Sequence, residues 1–263
     1  MLSYKNLISH IIFYMKNKKS KILITLFTNV IILSMLAFLG VVAFADKTKS
    51  VFNVENKNVY YHGNTNSNNV SLMINVYWGS EYIEDMLKTL DEHSIKATFF
   101  VGGLWVSKEP ELLLKIFESG HEIANHGFYH KSQDKLSYEQ NKNEILNNHK
   151  LVKSYLNIDM NLFAPPSGAY GNQTIKAAND LNYKVIMWTK DTIDWRDKDK
   201  NLIIKRASTK NKSGDLILMH PTKQTSEALS TIIDNILSQN LKIVTVSQNI
   251  CDYIVWFFYY ILL

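Results

Sequence analysis

Two histidines four residues apart, His126 and His130, are the clearest indication of chemistry in this sequence. They close a stretch, Gly-His-Glu-Ile-Ala-Asn-His-Gly-Phe-Tyr-His, that begins at Gly120 with a short apolar run typical of a buried strand end. Their spacing places both imidazoles on one face of a helical turn or in a tight loop, where they can share one metal ion. Exposed histidines also fall at this spacing by chance, so a metal site requires partners elsewhere in the chain.

The rest of the chain alternates between short apolar segments and amphipathic ones. The predicted strands are Val70–Tyr77, Lys96–Val101, Glu122–Ala124, Leu162–Ala164, Lys184–Met187, Leu216–Met219 and Lys242–Val246. The predicted helices are Ser80–His93, with Ser80 as its N-cap, and segments near 109–119, 138–156, 172–181, 202–210 and 226–238. Strict alternation of strands and helices predicts parallel strands, and seven strands without a Gly-x-Gly-x-x-Gly turn favour an α/β barrel.

A barrel of this kind carries its chemistry on the loops after the strands, at the C-terminal face. The two histidines follow the third predicted strand, and a Pro-Pro-Ser-Gly turn at residues 165–168 follows the fourth. Asp191 and Asp194 follow the fifth strand, and His220 follows the sixth. The sequence therefore predicts that all of these residues meet at one end of the barrel.

The basic character of the chain lies in its N-terminal segment. The net charge is +5, and residues 1–21 contain five lysines and no acidic residue. The remainder is therefore neutral overall, and the charge gives no argument for binding nucleic acid. Residues 22–45 follow as an uncharged apolar run, long enough to span a bilayer as a helix. The lysines before it predict a cytoplasmic N-terminus and an exported remainder.

Two fates are open for this apolar run. Ala43 and Ala45 flank Phe44 as in a signal-peptide cleavage site, which would make the protein secreted. The run is longer than the usual signal-peptide core, which favours an uncleaved single-pass anchor in the cytoplasmic membrane, with the domain on its outer side.

Beyond the anchor, the sequence predicts a linker at residues 46–69, a domain at 70–250 and an apolar aromatic tail at 251–263. The linker is rich in Asn, Lys and Ser and has no apolar periodicity. The single cysteine, Cys251, excludes an intrachain disulfide, so the hydrophobic core alone must hold the domain together. The tail is too short to span a membrane and suits either a packed last helix or the bilayer interface.

In this order, the segments resemble the polysaccharide deacetylase family, or carbohydrate esterase family 4, which shares the NodB homology domain. Its members carry five motifs on a distorted (β/α) barrel: Thr-Phe-Asp-Asp-Gly, His-x-x-x-His, Arg-x-Pro-x-Gly or Tyr, Asp-x-x-Asp-Trp and Leu-x-Leu-x-His. The second motif is residues 126–130 here, the fourth is residues 191–195, and the fifth ends at His220. The resemblance covers about residues 70–246. Residues 75–79 and 163–168 look most like a sporulation-associated branch of the family.

The resemblance implies metal-dependent removal of acetyl groups from an N-acetylated glycan such as peptidoglycan or chitin. His126 and His130 would bind a divalent metal, with zinc the expected ion, together with one aspartate. His220 would be the general acid, and Asp194 would orient it and raise its pKa. The expected substrate-binding residues are Trp195, Trp78, Tyr77, Pro166 and Ser167.

Two of the five motifs depart from the family pattern. Tyr77 and Trp78 stand where the family has its aspartate pair, and Ala164 stands where it has the arginine. The general base, the third metal ligand and the residue that positions the base are therefore absent together. Loss of a general base costs about 10²–10⁴-fold in rate, and Tyr77 is a poor replacement because tyrosine has a pKa of about 10. Asp191 or Glu81 could fill the gap.

Two hypotheses from different classes follow. The first is a metal-dependent amidohydrolase with an altered or impaired site. The second is a catalytically inactive family member that binds glycan or acts as a scaffold at the cell envelope, with no metal. Structural roles are also open: the histidine pair as loop hydrogen-bonding residues, His220 as the partner of Asp194, and the tryptophans as caps of the barrel mouth. His121 is expected to be structural.

Overall fold

The computed structural model describes residues 9, 13, 18–50 and 59–251. The chain divides into two units, residues 1–57 and 58–263. The first contains helix α1 (Lys18–Ser50), whose window Lys21–Phe38 has a mean hydropathy of 2.1. Within the described residues, α1 is the one helix long and apolar enough to cross a membrane or to form a signal sequence. Most of the predicted basic segment, and the predicted tail after Cys251, lie outside the described residues.

A curled parallel sheet forms the second unit. Its nine strands within residues 59–251 are β1 (Val59–Tyr60), β2 (Asn69–Val76), β3 (Thr98–Val101), β4 (Glu122–Asn125), β5 (Leu162–Phe163), β6 (Lys184–Ile186), β7 (Lys190–Asp191), β8 (Leu216–Met219) and β9 (Lys242–Ile243). The strand order is β1-β6-β5-β4-β3-β2-β8-β7, with β9 paired to β2. Every pair is parallel, and the edge strands β1 and β7 of the described sheet do not pair with each other. The predicted distorted (β/α) barrel is confirmed, in an open form.

Helices connect the strands and cover the outside of the sheet. They are α2 (Ser80–Glu92), α3 (Gly103–Lys108), α4 (Pro110–Glu118), α5 (Tyr138–Leu156), α6 (Asn172–Asp180), α7 (Lys200–Ser208), α8 (Lys223–Leu237) and α9 (Val246–Asn249). The six predicted helices are all present, with ends that differ by a few residues. The short elements β1, β7, α3 and α9 were not predicted.

Alternation along the central strand β2 separates its side chains into two buried layers. The even-numbered residues Val70 to Val76 pack with the apolar side chains of the covering helices, whereas Met73 packs with residues inside the curl. Because side chains alternate between the two faces of a strand, Asn75 and Tyr77 fall on the inner side at the barrel mouth. The alternation along β2 therefore places two side chains at the C-terminal end of the strands, where parallel barrels carry their functional sites.

Helix α2 begins differently from the prediction. Gly79, with a φ of 81°, occupies the N-cap position, and Ser80 is the first helical residue. The Ser80 hydroxyl accepts a hydrogen bond from the indole N–H of Trp105 at 2.9 Å, so it does not cap the helix. Glycine is required at position 79, because a Cβ there would lie 1.9 Å from the carbonyl oxygen of Pro221.

The sheet also extends into the segment predicted as a linker. Residues 46–50 belong to α1, and residues 51–58 lie outside the described residues. Val59–Tyr60 pairs with β6, and the N–H of Gly63 donates to the carbonyl oxygen of Gly214 at 2.7 Å. Residues 59–63 of the predicted linker therefore pair with the sheet and with the loop at Gly214.

Candidate functional site

A cavity of about 580 Å³ opens at the C-terminal ends of the strands. Strand alternation explains why the predicted residues reach it. On β4 and β8, Ala124 and Leu216 pack inside the curl, so His126 and His220 fall on the same inner side, two and four residues later. The cavity is lined by Asn75, Tyr77, Trp78, His126, His130, Ser167, Trp188, Asp191, Trp195, Leu218 and His220.

His126 lies at the end of β4 and is 2% exposed. Its Nδ1–H donates a hydrogen bond to the carbonyl oxygen of Ala164 at 2.7 Å, since a carbonyl can only accept. This bond leaves the lone pair of the neutral ring on Nε2, the arrangement usual for a metal-binding or hydrogen-bonding histidine. Burial, followed by the neighbouring His130, lowers the pKa of His126 to about 3. The ring is therefore neutral near pH 7.

His130 is covered by an aromatic ring. Its imidazole meets His126 edge-on with ring centroids 5.1 Å apart, and the Tyr77 ring lies 4.6 Å from it. Burial lowers the pKa of His130. Burial, followed by the charge of Glu144, raises the pKa of Tyr77, so its hydroxyl stays protonated near neutrality. A neutral ring therefore lies where the family resemblance expects a carboxylate.

Buried polar side chains fix the histidine loop, and the sequence analysis missed them. Glu144 of α5 accepts hydrogen bonds from the backbone N–H groups of Phe128 and Tyr129 at 2.9 and 2.7 Å. Asn125, at the end of β4, accepts from the N–H of Gly127 at 2.9 Å. The Glu144 side chain is only 5% exposed. An acidic residue within the apolar stripe of a predicted helix was the available indication, because a buried carboxylate needs such donors.

His220 and Asp194 form a hydrogen-bonded pair. The Nδ1–H of His220 donates to Asp194 Oδ1 at 2.8 Å, and Asp194 Oδ2 accepts from the backbone N–H of His220 at 2.7 Å. The hydroxyl of Thr225 donates to the same oxygen at 2.6 Å. The Asp194 side chain is fully buried. The carboxylate fixes the orientation of the imidazole and leaves its Nε2 for other partners.

Tryptophans form the rim of the cavity. Trp78 stacks on His220, with ring centroids 5.8 Å apart and planes 10° from parallel. Trp78 and Trp195 are 43% and 56% exposed, and both also line a neighbouring cavity. Exposed aromatic faces beside a few polar groups are typical of a ligand-binding cleft.

Ser167 and Pro166, the other two residues predicted to contact substrate, differ in their position relative to the cavity. Ser167 lines the cavity and has a φ of 54°. Pro166 is buried and does not line the cavity. It lies behind the histidine loop, 3.6 Å from where a Cβ on Gly127 would be. In the structure it packs against the loop, and its contact with substrate stays a prediction.

The cavity does not provide a complete metal site. A catalytic zinc ion needs three protein ligands, and among residues 59–251 no group of three or more His, Cys, Asp or Glu is placed to hold a metal. Asp191 lines the cavity, but its Oδ1 accepts the N–H of Ile193 at 2.7 Å. Glu81, the other substitute considered from sequence, lines two neighbouring cavities instead. The implied zinc ion therefore does not fit the residues present.

Asn75 is a cavity residue that the sequence analysis missed, together with Trp188 and Leu218. Asn75 is 4% exposed, and its Oδ1 has no hydrogen-bond partner within the described chain. A buried acceptor left unpaired costs about 1–3 kcal/mol, so native proteins normally pair it with protein, water or ligand. Asn75 is therefore a polar side chain in the cavity wall whose buried oxygen has no partner within the described residues.

Comparisons with known proteins place the chain among polysaccharide deacetylases. The family model for polysaccharide deacetylase matches residues 62–186. A peptidoglycan-N-acetylglucosamine deacetylase of Bacillus cereus is 31% identical over 173 residues, which are 64% of this chain and 81% of the relative. YlxY of Bacillus subtilis is 36% identical over 188 residues, which are 72% of this chain but only 59% of YlxY.

Solved structures show the same fold with two different outcomes for activity. BA3943 of Bacillus anthracis, a CE4 family pseudoenzyme, superposes with a TM-score of 0.72 at 34% identity, covering 73% of this chain and 69% of BA3943. A BA3943 mutant with restored enzymatic activity gives a TM-score of 0.71 at 32% identity, covering 73% and 71% of the two chains.

Proposed function

This chain belongs to the polysaccharide deacetylase family, and from that membership we propose that it binds N-acetylated glycan of the cell envelope without hydrolysing it. The names of its relatives support the ligand class, because they include deacetylases of peptidoglycan N-acetylglucosamine and N-acetylmuramic acid. The altered cleft supports the loss of turnover. The protein would then serve as a glycan-binding or scaffolding member of its family.

The observation that carries the proposal is the pair of aromatic rings in the first motif. Tyr77 covers His130 and Trp78 covers His220, so rings occupy the positions of the expected base and third metal ligand. Neither ring can accept a proton from water near neutrality or hold a divalent cation as a carboxylate does. The two imidazoles that remain lack the partners that the family reaction requires.

Residues of the cavity other than the expected catalytic and metal-binding ones support ligand binding. Asn75 adds a polar amide to the wall of the cavity, and its buried Oδ1 has no partner within the described residues. Trp78 and Trp195 offer exposed aromatic faces at the rim. The apolar walls would bury the sugar faces, and a few fixed polar groups would set its orientation.

The location of the domain follows from helix α1. We infer that its apolar window spans the cytoplasmic membrane once and holds the domain on the outer side, where envelope glycan lies. Cleavage after this segment would give a secreted form of the same domain. Membership of a sporulation-associated branch stays a prediction.

Weak or altered hydrolysis is the second candidate function. It is favoured by the Asp194–His220 pair, which has the geometry of an oriented acid-base group. The BA3943 mutant shows that an inactive protein of this fold can be returned to activity. In this chain, such an activity would need a base other than Tyr77.

Calorimetric titration of the full chain tests the binding proposal. The chain is placed in nanodiscs of phosphatidylcholine and titrated with chitotetraose. We expect saturable binding that weakens about tenfold in Trp195→Ala, because an aromatic contact of this kind is worth about 1 kcal/mol or more. Tyr155→Ala removes an exposed aromatic ring of α5 that does not line the cavity, and should leave binding unchanged. Absence of binding to chitotetraose and to peptidoglycan fragments would overturn the proposal.

A further inference from the structure

Of the 29 lysine and arginine residues in this chain, only two are arginines, and both bind the same carboxylate. Arg196 Nε lies 2.8 Å from Asp197 Oδ1, and Arg206 Nη1 lies 2.6 Å from Asp197 Oδ2. We call residues 191–197 the fourth-motif loop, because they begin with the Asp-x-x-Asp-Trp motif. We propose that Arg206, which lies outside all five motifs, is a positioning residue that fixes this loop and, through it, the buried carboxylate of Asp194. The inference concerns the geometry of the site and goes beyond the proposed glycan binding.

Arg206 reaches the fourth-motif loop at both of its ends. It lies in the last turn of α7, and its Nη1 donates to the carbonyl oxygen of Thr192 at 3.0 Å and to the carboxylate of Asp197. Nη1 carries two hydrogen atoms, one for each of these acceptors. The side chains of Arg206 and Asp197 are 23% and 22% exposed, so water screens their charge-assisted hydrogen bond less than it screens a pair on the open surface. One guanidinium group therefore ties the start of the loop to its end.

Between these two ends, the loop contains a strained residue. Ile193 has a φ of 55°, in the left-handed region that a β-branched residue rarely adopts. Such a conformation persists only where the surrounding contacts hold it. Bonds within the loop contribute: the N–H of Ile193 donates to Asp191 Oδ1 at 2.7 Å, and its carbonyl oxygen accepts from the N–H of Asp197 at 2.9 Å. These bonds fix the shape of the turn, but they attach it to nothing outside the loop.

Thr192 attaches the turn to the rest of the domain. Its N–H donates to the carbonyl oxygen of Leu218 in β8 at 3.2 Å, and its own carbonyl oxygen accepts from Arg206. The bond to Arg206 therefore restrains the peptide group between Thr192 and Ile193, where the strained turn begins. Without this bond, we expect Ile193 to relax toward the ordinary backbone region and to displace the residues that follow it.

The two residues after Ile193 belong to the candidate site. Asp194 Oδ1 accepts from the Nδ1–H of His220 at 2.8 Å, and Asp194 Oδ2 accepts from the backbone N–H of His220 at 2.7 Å. Hydrogen bonds of this length allow the carboxylate little displacement before they break. Trp195, the next residue, lines the cavity. The backbone N–H of His220 exchanges its hydrogen with water only when its bond to Asp194 opens, so its exchange rate reports the position of the loop.

Arg196 provides a matched control, because it binds the same carboxylate. Its side chain is 57% exposed, and within the described chain the hydrogen bonds of its guanidinium go to Asp197. Arg196→Met therefore removes a positive charge beside Asp197 and leaves the bond between Arg206 and Thr192. Arg206→Met removes a positive charge beside the same carboxylate together with that bond. A difference between the two variants therefore measures what Arg206 contributes to the loop beyond the charge beside Asp197.

Amide hydrogen exchange of the full chain in phosphatidylcholine nanodiscs, followed by NMR, tests the inference. In Arg206→Met we expect the backbone N–H of His220 to exchange about tenfold faster, whereas in Arg196→Met its rate should change less than about twofold. The resonance of the His220 Nδ1–H should also shift in Arg206→Met alone. The amides of the buried strand β3 report global unfolding and should exchange at the same rate in both variants and in the unmodified chain. Equal exchange of the His220 N–H in the two variants would overturn the inference.

A second substitution covers the case in which Arg206→Met also accelerates exchange in β3. Glycine adopts the left-handed conformation without strain, so Ile193→Gly should reduce the need for the arginine. In that background we expect Arg206→Met to accelerate exchange of the His220 N–H less than about threefold, because the two positions are coupled through one turn. An acceleration that the glycine does not diminish would show a general structural role for Arg206 and would overturn the inference. Absence of glycan binding would refute the proposed function and leave this inference standing.

Discussion

The indole of Trp78 lies parallel to the imidazole of His220, with ring centroids 5.8 Å apart and planes 10° from parallel. His220 is in turn oriented by the buried carboxylate of Asp194. The two residues that the family resemblance predicts as the acid-base pair are therefore hydrogen-bonded to each other, and an aromatic ring lies against the histidine. This arrangement supports the proposal that the cleft keeps a group able to protonate a leaving amine and lacks the groups that would activate water.

Removal of the Trp78 ring should expose the His220 imidazole and weaken glycan binding. For Trp78→Ala we expect chitotetraose to bind about fivefold to tenfold more weakly, because one of two aromatic walls is lost. The NMR resonances of the His220 ring should shift with the loss of the neighbouring indole. Tyr155→Ala is the control for loss of an exposed aromatic ring. Unchanged affinity in Trp78→Ala would argue that the rim only caps the barrel.

Substitution of Glu144 should loosen the histidine loop without touching the histidines. Glu144→Gln replaces two charge-assisted hydrogen bonds to the N–H groups of Phe128 and Tyr129 by neutral ones. We expect the amide hydrogens of these two residues to exchange about tenfold faster. Glu139→Gln, an exposed position in the first turn of the same helix, should leave their exchange rates unchanged. Equal rates in both variants would show that other contacts hold the loop.

Asp194 should matter for stability even if the protein has no turnover. Asp194→Asn has a single carbonyl oxygen, which can accept either from the Nδ1–H of His220 or from the backbone N–H of His220 and the hydroxyl of Thr225, so the donors on the other side face an NH₂ group. We expect the free energy of unfolding to fall by about 3 kcal/mol in urea titrations. The comparison is Asp180→Asn at the end of α6, whose carboxylate is exposed and should tolerate the change. A loss no larger than in Asp180→Asn would mean that the buried hydrogen bonds to Asp194 rearrange without cost.

Stability should fall as the pH drops below neutrality, partly through His121. Burial, followed by Lys96, lowers the pKa of this histidine to about 4, and its Nδ1 accepts the N–H of Ala97 at 3.2 Å. In the unfolded chain the His121 ring binds a proton near pH 6.5, whereas in the folded chain it does so only near pH 4. The contribution of the neutral ring to the free energy of unfolding is therefore complete above about pH 6.5 and is lost as the pH falls toward 4.

The size of this effect can be measured by substitution. Between pH 7 and pH 5 we expect His121 to account for a loss of about 2 kcal/mol of unfolding free energy. His121→Asn removes the titrating ring and keeps an acceptor for Ala97, so the loss between the two pH values should shrink by that amount. A pH dependence identical to that of the unmodified chain would show that His121 is not the titrating group.

The fold was predictable because each main strand and helix carries its own period. The apolar run of β2 and the stripe of α5 are long enough to identify the elements and their order. The strands β1 and β7 have two residues each and do not lie in longer apolar segments like those that indicated the equally short β5 and β9. The N-cap of α2 was mispredicted because the Ser80 hydroxyl is taken by Trp105, 25 residues further along the chain.

Most of the residues around the cavity could be predicted from the sequence, whereas their contacts could be predicted only in part. Motif spacing and strand alternation identified His126, His130, Asp194 and His220. The stacking of the first-motif rings on histidines depends on packing between strands that are far apart in the chain, which no local pattern encodes. The unpaired oxygen of Asn75 could not be predicted from the sequence either, because the absence of a hydrogen-bond partner is visible only in the assembled barrel.

Acetate release from chitotetraose, measured with zinc present, tests the central claim most directly. The full chain is compared with His220→Ala and with a restored variant, Tyr77→Asp, Trp78→Asp, Ala164→Arg. A double variant without the arginine covers the case in which this change at buried Ala164 prevents folding. We predict no release above the His220→Ala background from the unmodified chain, and release at least about 100-fold above it from a restored variant. Release from the unmodified chain that disappears in His220→Ala would contradict the account.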